Sequence, residues 1–399
     1  MSKRAFCRGS AVATAVLLVA GAAHAGTRTG DSILLHSNQR LSGRKITSAT
    51  VQAVKHSRFF GGGDETETAS ELIKEITWDD APGSFRQAAS AFGHQRYDQA
   101  IEHLKKCPAK GPRTWWYEPY KALLHGQCLL RLGQHAEAAA RFGVVVEKHS
   151  RSFYFLEALE GKAEAHLALK QYQEAADTFA RLDPRDNYAK AGEPEPYGKL
   201  WQIRGQYRRA LALIHAGKPA GAARIYQGLA AVGKALLADP PKELRGAAKE
   251  ITTIRQSALV GRAEVLMSQG KYAEAKTHIE ANQSAITDSR ARLKLYMALG
   301  ELAAEAAKKL RAEPVAQKAK YKEAILNYMR VYILYPEQKD LRPKAMYGAA
   351  TAFEAIGTPI AKGHAIRLYR QVVAEAPKTE YGTAARQRLE RYGVKVKAP

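Results

Sequence analysis

Two different periods run along this chain. From residue 31 to residue 78 the apolar positions fall in short runs parted by turn-prone residues, the pattern of strands. Ser32-Ile33-Leu34-Leu35 opens the series and Ser37-Asn38-Gln39 breaks it. Leu41 to Thr47, Thr50 to Lys55 and Glu71 to Trp78 continue it, and Ile73, Ile76 and Trp78 add the bulk that pleated surfaces favour. Gly61-Gly62-Gly63-Asp64-Glu65 reads as a flexible loop; its acids lack the ligand spacing of a calcium loop. The pattern predicts a small antiparallel sheet of about three to five strands. Such a module, within residues 26–80, buries too little by itself and must pack on the first helices.

From Ser84 the period is helical, and a motif repeats. Tyr97-Asp98-Gln99-Ala100 is followed four residues later by Leu104. His135-Ala136-Glu137-Ala138 leads in the same way to Phe142, and Tyr172-Gln173-Glu174-Ala175 to Phe179. Pro219-Ala220-Gly221-Ala222 leads to Tyr226, Tyr272-Ala273-Glu274-Ala275 to Ile279, Tyr321-Lys322-Glu323-Ala324 to Tyr328, and Lys362-Gly363-His364-Ala365 to Tyr369. Twelve residues before five of these alanines stand Ala88, Gly126, Ala163, Ala210 and Ala263. Gly133, Gly217 and Gly270 stand five before, and Pro112, Pro336 and Pro377 twelve after. Small residues let two antiparallel helices approach. A glycine ends the first helix, a large residue one turn past the alanine fills the groove against the next hairpin, and a proline ends the second.

These offsets resemble the tetratricopeptide repeat (TPR), and they cover residues 84–392. The resemblance implies a mostly α fold: a TPR-like α-solenoid of helix hairpins over residues 81–393, preceded by the β module and followed by a tail, 394–399. The match departs from the family in its spacing. Successive alanines lie 38, 37, 47, 53, 49 and 41 residues apart, against a family period of about 34. That demands longer helices or inserts, notably at Asp183–Tyr197 and Leu236–Leu244. Pro314 predicts a broken first helix in the sixth repeat.

Ser150-Arg151-Ser152-Phe153-Tyr154, Tyr335-Pro336 and Glu375-Ala376-Pro377-Lys378-Thr379-Glu380-Tyr381, with Ala384, are similar to repeat junctions of bacterial envelope TPR proteins. Examples are the periplasmic coordinator of the Tol–Pal system and the TPR lipoprotein of the outer-membrane barrel-assembly machine. Thr379 or Ser152 would cap the new helix, and the aromatic after it would pack on the previous repeat.

TPR proteins line a concave face with the first helix of each hairpin. In register, this implies partner-binding positions at Tyr120, Gln127 and Arg131, then Glu157, Glu160 and Glu164, then Arg204 and Tyr207, and finally Glu264. Glu157, Glu160 and Glu164 share one helix face. They form an acidic stripe suited to a basic or extended peptide, although the same spacing fits a solvated face. Trp115, Trp116, Tyr117 and Tyr120 could stack on a sugar or base, but their setting between repeats, like that of Trp78 and Trp201, reads as core.

The first 25 residues change the setting. Lys3, Arg4 and Arg8 precede an apolar stretch from Ala11 to Ala23, and Ala23-His24-Ala25 fits a signal-peptidase site before Gly26. This predicts export to the periplasm or cell envelope. Gly26 rather than Cys follows the cut, so lipid attachment is not predicted. No later stretch is apolar for long enough to span a bilayer. The formal charge of +23 attracts polyanions such as wall polymer or anionic lipid. Cys107 and Cys128 are either two buried thiols or a disulfide between neighbouring helices.

No catalytic constellation is present. The chain lacks His-Glu-x-x-His, Cys-x-x-Cys, Gly-x-Ser-x-Gly and phosphate-loop motifs. No catalytic residue, metal site or cofactor is therefore predicted. The sequence reads as an exported protein–protein scaffold with no enzymatic activity. The alternative is a basic, polyanion-binding envelope protein.

Overall fold

The computed structural model describes residues 30–60, 63–111, 113–182 and 198–394. The predicted signal segment 1–25, the insert 183–197 and the tail from 395 lie outside the described residues.

Five strands come first: β1 (Asp31–Leu35), β2 (Arg40–Ala49), β3 (Ala53–Arg58), β4 (Thr66–Ala69) and β5 (Ile73–Thr77). They form one sheet in the order β4-β3-β2-β1-β5, with every neighbour antiparallel. Ile33 stands opposite Leu41 on one side and Ile76 on the other. The Ser37-Asn38-Gln39 turn holds, with Asn38 at a φ of 65°. Thr50 to Lys55, read as a strand, is split. The Thr50 hydroxyl accepts from the Gln52 and Ala53 amides and so closes a turn, and β3 starts only at Ala53. Polar Thr66–Ala69 has no apolar alternation to announce it, and pairing with β3 alone makes it a strand.

Fifteen helices follow among the described residues. They are α1 (Gly83–Gly93), α2 (Tyr97–Lys105), α3 (Thr114–Arg131), α4 (His135–Lys148), α5 (Phe155–Ala168), α6 (Tyr172–Ala180), α7 (Lys199–His215) and α8 (Pro219–Ala238). Then come α9 (Ala248–Ser268), α10 (Tyr272–Asn282), α11 (Ser289–Lys309), α12 (Pro314–Leu334), α13 (Leu341–Ile356), α14 (Pro359–Glu375) and α15 (Glu380–Arg391). The chain divides into two units, Met1–Ile225 with Ala235–Ile251, and Tyr226–Lys234 with Thr252–Pro399. The first holds the sheet and α1 to α7. The second holds most of α9 and all of α10 to α15.

Within each unit the helices pair and stack as α-solenoid hairpins. The small residues of the motif do what their size implies. Ala88, Ala163, Ala210 and Ala263, and all seven motif alanines from Ala100 to Ala365, have no exposed surface. Gly133, Gly217 and Gly270 end first helices at φ of 79°, 72° and 76°. Gln95 and Lys170, each two residues before a second helix as those glycines are, adopt the same left-handed backbone at 61°. The turn geometry is thus retained where glycine is not. The residue one turn past the alanine is the bolt between hairpins. A Cβ on Gly126 of α3 would come 2.8 Å from the Phe142 ring, and one on Gly161 of α5 would come 2.5 Å from it. Tyr328 fills the same place between Gly300 of α11 and Gly348 of α13.

Pro314 does not break a helix. α11 is uninterrupted, and Pro314 is the first residue of α12, where its missing N–H costs nothing. The two junctions also differ. Thr379 caps α15 by accepting from the Gly382 amide at 3.1 Å, and Tyr381 packs on Tyr347 of the preceding hairpin. Ser152 is instead taken by the sheet, bridging to Thr50, and does not cap α5.

The sheet is anchored to the first hairpins. Ile33, Ile76 and Trp78 share a core with Phe85, Trp116 and Leu124. Trp78 stacks on Trp116 at 4.7 Å, and Tyr120 on Tyr154 at 4.5 Å. The Val51 amide donates to the Arg151 carbonyl, and the Phe153 amide to that of Ala49. Arg113, just before α3, donates two hydrogen bonds to the Asp31 carboxylate and two to that of Asp80, and it lies 3.8 Å from Asp79. Its guanidinium is also 5.1 Å from the Trp78 ring centre. Cys107 and Cys128 are separate buried thiols, and burial pushes that of Cys128 up to about 12.

Candidate partner-binding face

In the first unit, the first helices of successive hairpins bring most of the predicted residues together. Tyr120 of α3 is partly buried and lies near Glu157 of α5. Glu160 and Glu164, one turn and two turns further along α5, meet Arg208 of α7 at 3.8 and 3.2 Å. Arg204, one turn before Arg208, grips the carboxylate of Glu250 at the start of α9 with two N–H groups. Arg131, exposed at the end of α3, lies close enough to Glu164 to favour its charge. Gln127 and Tyr207 are partly buried on α3 and α7. Trp201 is not core: it is partly exposed, with the Arg204 guanidinium 5.2 Å from its ring centre.

The predicted acidic stripe is therefore a mixed-charge ladder. Its members differ in what they feel. Burial, then the neighbouring Glu160 charge, pushes the Glu157 carboxyl up to about 7 against the pull of Arg204. Burial also raises Glu164, against Arg208. Burial opposes the Arg204 charge, but the bonds to Glu250 hold the guanidinium above its ordinary range. Among the described residues Glu157 has no ion-pair or hydrogen-bond partner.

The sheet reaches the same place. His36, in the turn after β1, lies near Arg204 and Glu250. Burial, then Arg204 and Lys74, hold its pKa below the ordinary value. Glu75 of β5 is buried, which raises its carboxyl. Glu75 and Glu157 both act on Tyr120 and Tyr154, whose phenols are raised first by burial. Arg208 could have been found from its place one helical turn past Arg204. His36, Glu75, Tyr154 and Glu250 carry no such signal, because they come from other elements.

Glu264 of α9 belongs to the second unit. Burial raises it, while Lys294 of α11 and Lys344 of α13 favour its charge. Lys344 also pairs with Glu301 at 2.7 Å.

One acidic cluster outside this face resembles a metal site. Ligand atoms of Asp31, Asp79 and Asp80 lie within 4.8 Å of one another. Arg113 already supplies the positive charge there, so the cluster is a structural ion-pair knot.

Comparison with known proteins bears on the hairpins. A tetratricopeptide-repeat family model matches residues 122–152, the hairpin of α3 and α4. That hairpin is therefore similar to a tetratricopeptide repeat. Tetratricopeptide repeat protein 34 of Homo sapiens is 31% identical over 180 residues, 43% of this chain and 29% of that protein. Its Mus musculus counterpart is 30% identical over 165 residues, 40% and 27% of the two chains. The matches thus span less than a third of these curated relatives. Among solved structures, the apo form of the quorum sensor NprR from B. thuringiensis covers 79% of this chain and 82% of its own, with a TM-score of 0.50 and 15% identity. At that identity the likeness is one of fold. No helix among the described residues is long and apolar enough to cross a membrane.

Proposed function

We propose that this TPR chain is an exported scaffold of the bacterial cell envelope, holding a protein partner on the first-helix face of its first unit and carrying out no chemistry. TPR repeats commonly serve as protein-interaction scaffolds, and that is the general ground for the reading. The observation that carries it is the ladder itself. Charged residues from α5, α7 and the start of α9 are held by mutual ion pairs, partly buried but still reachable, with the sheet alongside. A face that only needed solvation would not hold an unpaired carboxylate against burial. The residues before Gly26 and the envelope-like junctions around Tyr154 and Tyr381 support export to that compartment.

The test is affinity capture from envelope extract with the tagged full chain, eluted by steps of salt. The same capture is run with Glu157, Glu160 and Glu164 together changed to Lys. A defined protein that resists high salt and is lost with the triple variant supports the scaffold. Release of everything at modest salt from both chains would overturn it in favour of polyanion binding through the net charge.

A further inference from the structure

The acids of the first-unit face are not equally spent. Arg208 is engaged by Glu160 and Glu164, and Arg204 by Glu250. Two carboxylates remain, Glu157 on α5 and Glu75 on β5. Glu75 is only 8% exposed, and its Oε2 is buried with no hydrogen-bond partner. A buried carboxylate oxygen left unpartnered is costly unless something supplies a donor. Both carboxylates bear on the same two rings, Tyr120 and Tyr154, which stack at 4.5 Å. Both acids therefore lie within electrostatic reach of one aromatic pair, where helices and sheet meet.

We infer that Glu157 and Glu75, beside the Tyr120–Tyr154 pair, form a pocket for a lysine or arginine side chain of the protein partner. The reading rests on the proposed scaffold role and names the chemistry by which that face selects its occupant. A cationic side chain gives Glu157 an ion-pair partner and the buried Oε2 of Glu75 a donor, and the aromatic rings near them add attraction of their own. The sheet is then part of the site, because it provides one of the two acids.

Charge on Glu157 controls the pocket. The groups around it are Glu160 on its own helix, Arg204 on α7, Tyr120 on α3, Tyr154 before α5 and Glu75 on β5. Arg40 and Lys74 act on Glu75 from the sheet. With its carboxyl near 7, Glu157 is neutral in mild acid and charged above neutrality. Capture of a cation must therefore strengthen as pH rises through 7 and weaken as it falls.

The chain's own charge makes the test stringent, since a formal +23 repels a polycation everywhere else. The probe is a fluorescent, end-blocked peptide of three Gly-Ser-Lys units, titrated with the full chain at pH 8 and pH 5.5. A matching peptide with Glu in place of Lys serves as control. Saturable binding of the lysine peptide at pH 8 is expected, weaker at pH 5.5. Glu157→Gln and Glu75→Gln should each weaken it by about tenfold or more, and the first should flatten the pH dependence. Glu102→Gln, on the exposed face of α2, should change nothing. Circular dichroism of each variant checks that the fold is kept, and the isosteric Glu157→Gln is the variant that decides. No saturable binding by the parent chain, or equal binding by Glu157→Gln, overturns the inference. If salt-resistant capture of a partner persists while the lysine peptide is ignored, the pocket fails and the scaffold stands. Peptide binding without any such capture refutes the scaffold role instead.

Discussion

Phe142 in the first unit and Tyr328 in the second do the same mechanical work. Each ring sits between a glycine of its own hairpin and a glycine of the next, at distances no Cβ tolerates. Above that shared packing the charged floors differ. In the second unit two lysines, Lys294 and Lys344, act on the buried Glu264, and Lys344 also pairs with Glu301. In the first unit Glu157 feels one cation, Arg204, against the like charge of Glu160, Glu75 keeps a buried Oε2 without a hydrogen-bond partner, and a sheet stands beside them. Packing positions repeat because every hairpin must bury the same stripe. Floor positions face no such demand and are free to diverge toward a partner.

This contrast can be attacked at several strengths. Arg113→Ala should have the largest effect. It strips the counter-charge from three mostly buried aspartates and should cost about 3–5 kcal/mol, seen as earlier chemical unfolding of the sheet-bearing unit. Near-ultraviolet circular dichroism of the Trp78–Trp116 stack should change with it. A loss of under about 1 kcal/mol would mean the sheet is held by its apolar core alone.

Gly161→Ala and Gly348→Ala test the shared device. Alanine is normally the better helix former, yet here each added Cβ meets a ring at 2.5 or 2.8 Å. Both should destabilise by about 1–3 kcal/mol, one in each unit, by denaturant titration. Stabilisation by either would show that the ring has room to move.

A smaller effect isolates Glu157. Its carboxyl lies near 7 in the fold, against an ordinary 4.5. The folded state therefore holds the proton more tightly than the unfolded chain, and ionisation costs stability as pH rises from 4.5 to 7. Glu157→Gln removes that cost. The variant's melting temperature relative to the parent should be more favourable at pH 8 than at pH 5. An offset independent of pH would sink the assignment.

Lys344→Ala in the second unit's floor should matter least. Its pair with Glu301 is more than a third exposed on both sides, and such pairs contribute about 1 kcal/mol or less. A several-fold larger loss, again by denaturant titration, would mean the second floor depends on its charges as strongly as the first.

How far the sequence could be read follows from the same division. The helix hairpins were legible because Ala100, Ala138, Ala175 and their counterparts recur with a fixed aromatic or aliphatic partner, a demand of local packing. The sheet was legible in outline from Ile33, Ile73 and Ile76. Its polar strand β4 was not, since only pairing with β3 defines it. Pro314 misled because proline reads as a breaker until the helix start is known. On the candidate face, the spacing of Glu157, Glu160 and Glu164 and the place of Arg204 followed from helical period.

What the chain's order of residues determined by itself was everything set within a turn or a hairpin: period, small-residue contacts and turn positions. The tertiary structure alone decided which charges meet. Arg208 is 44 and 48 residues from its acids, and Arg204 is 46 from Glu250. Glu75 reaches the tyrosines of α3 and of the turn before α5 from a separate sheet. Coulomb energies and burial depend on distance in space, and no local pattern encodes that distance.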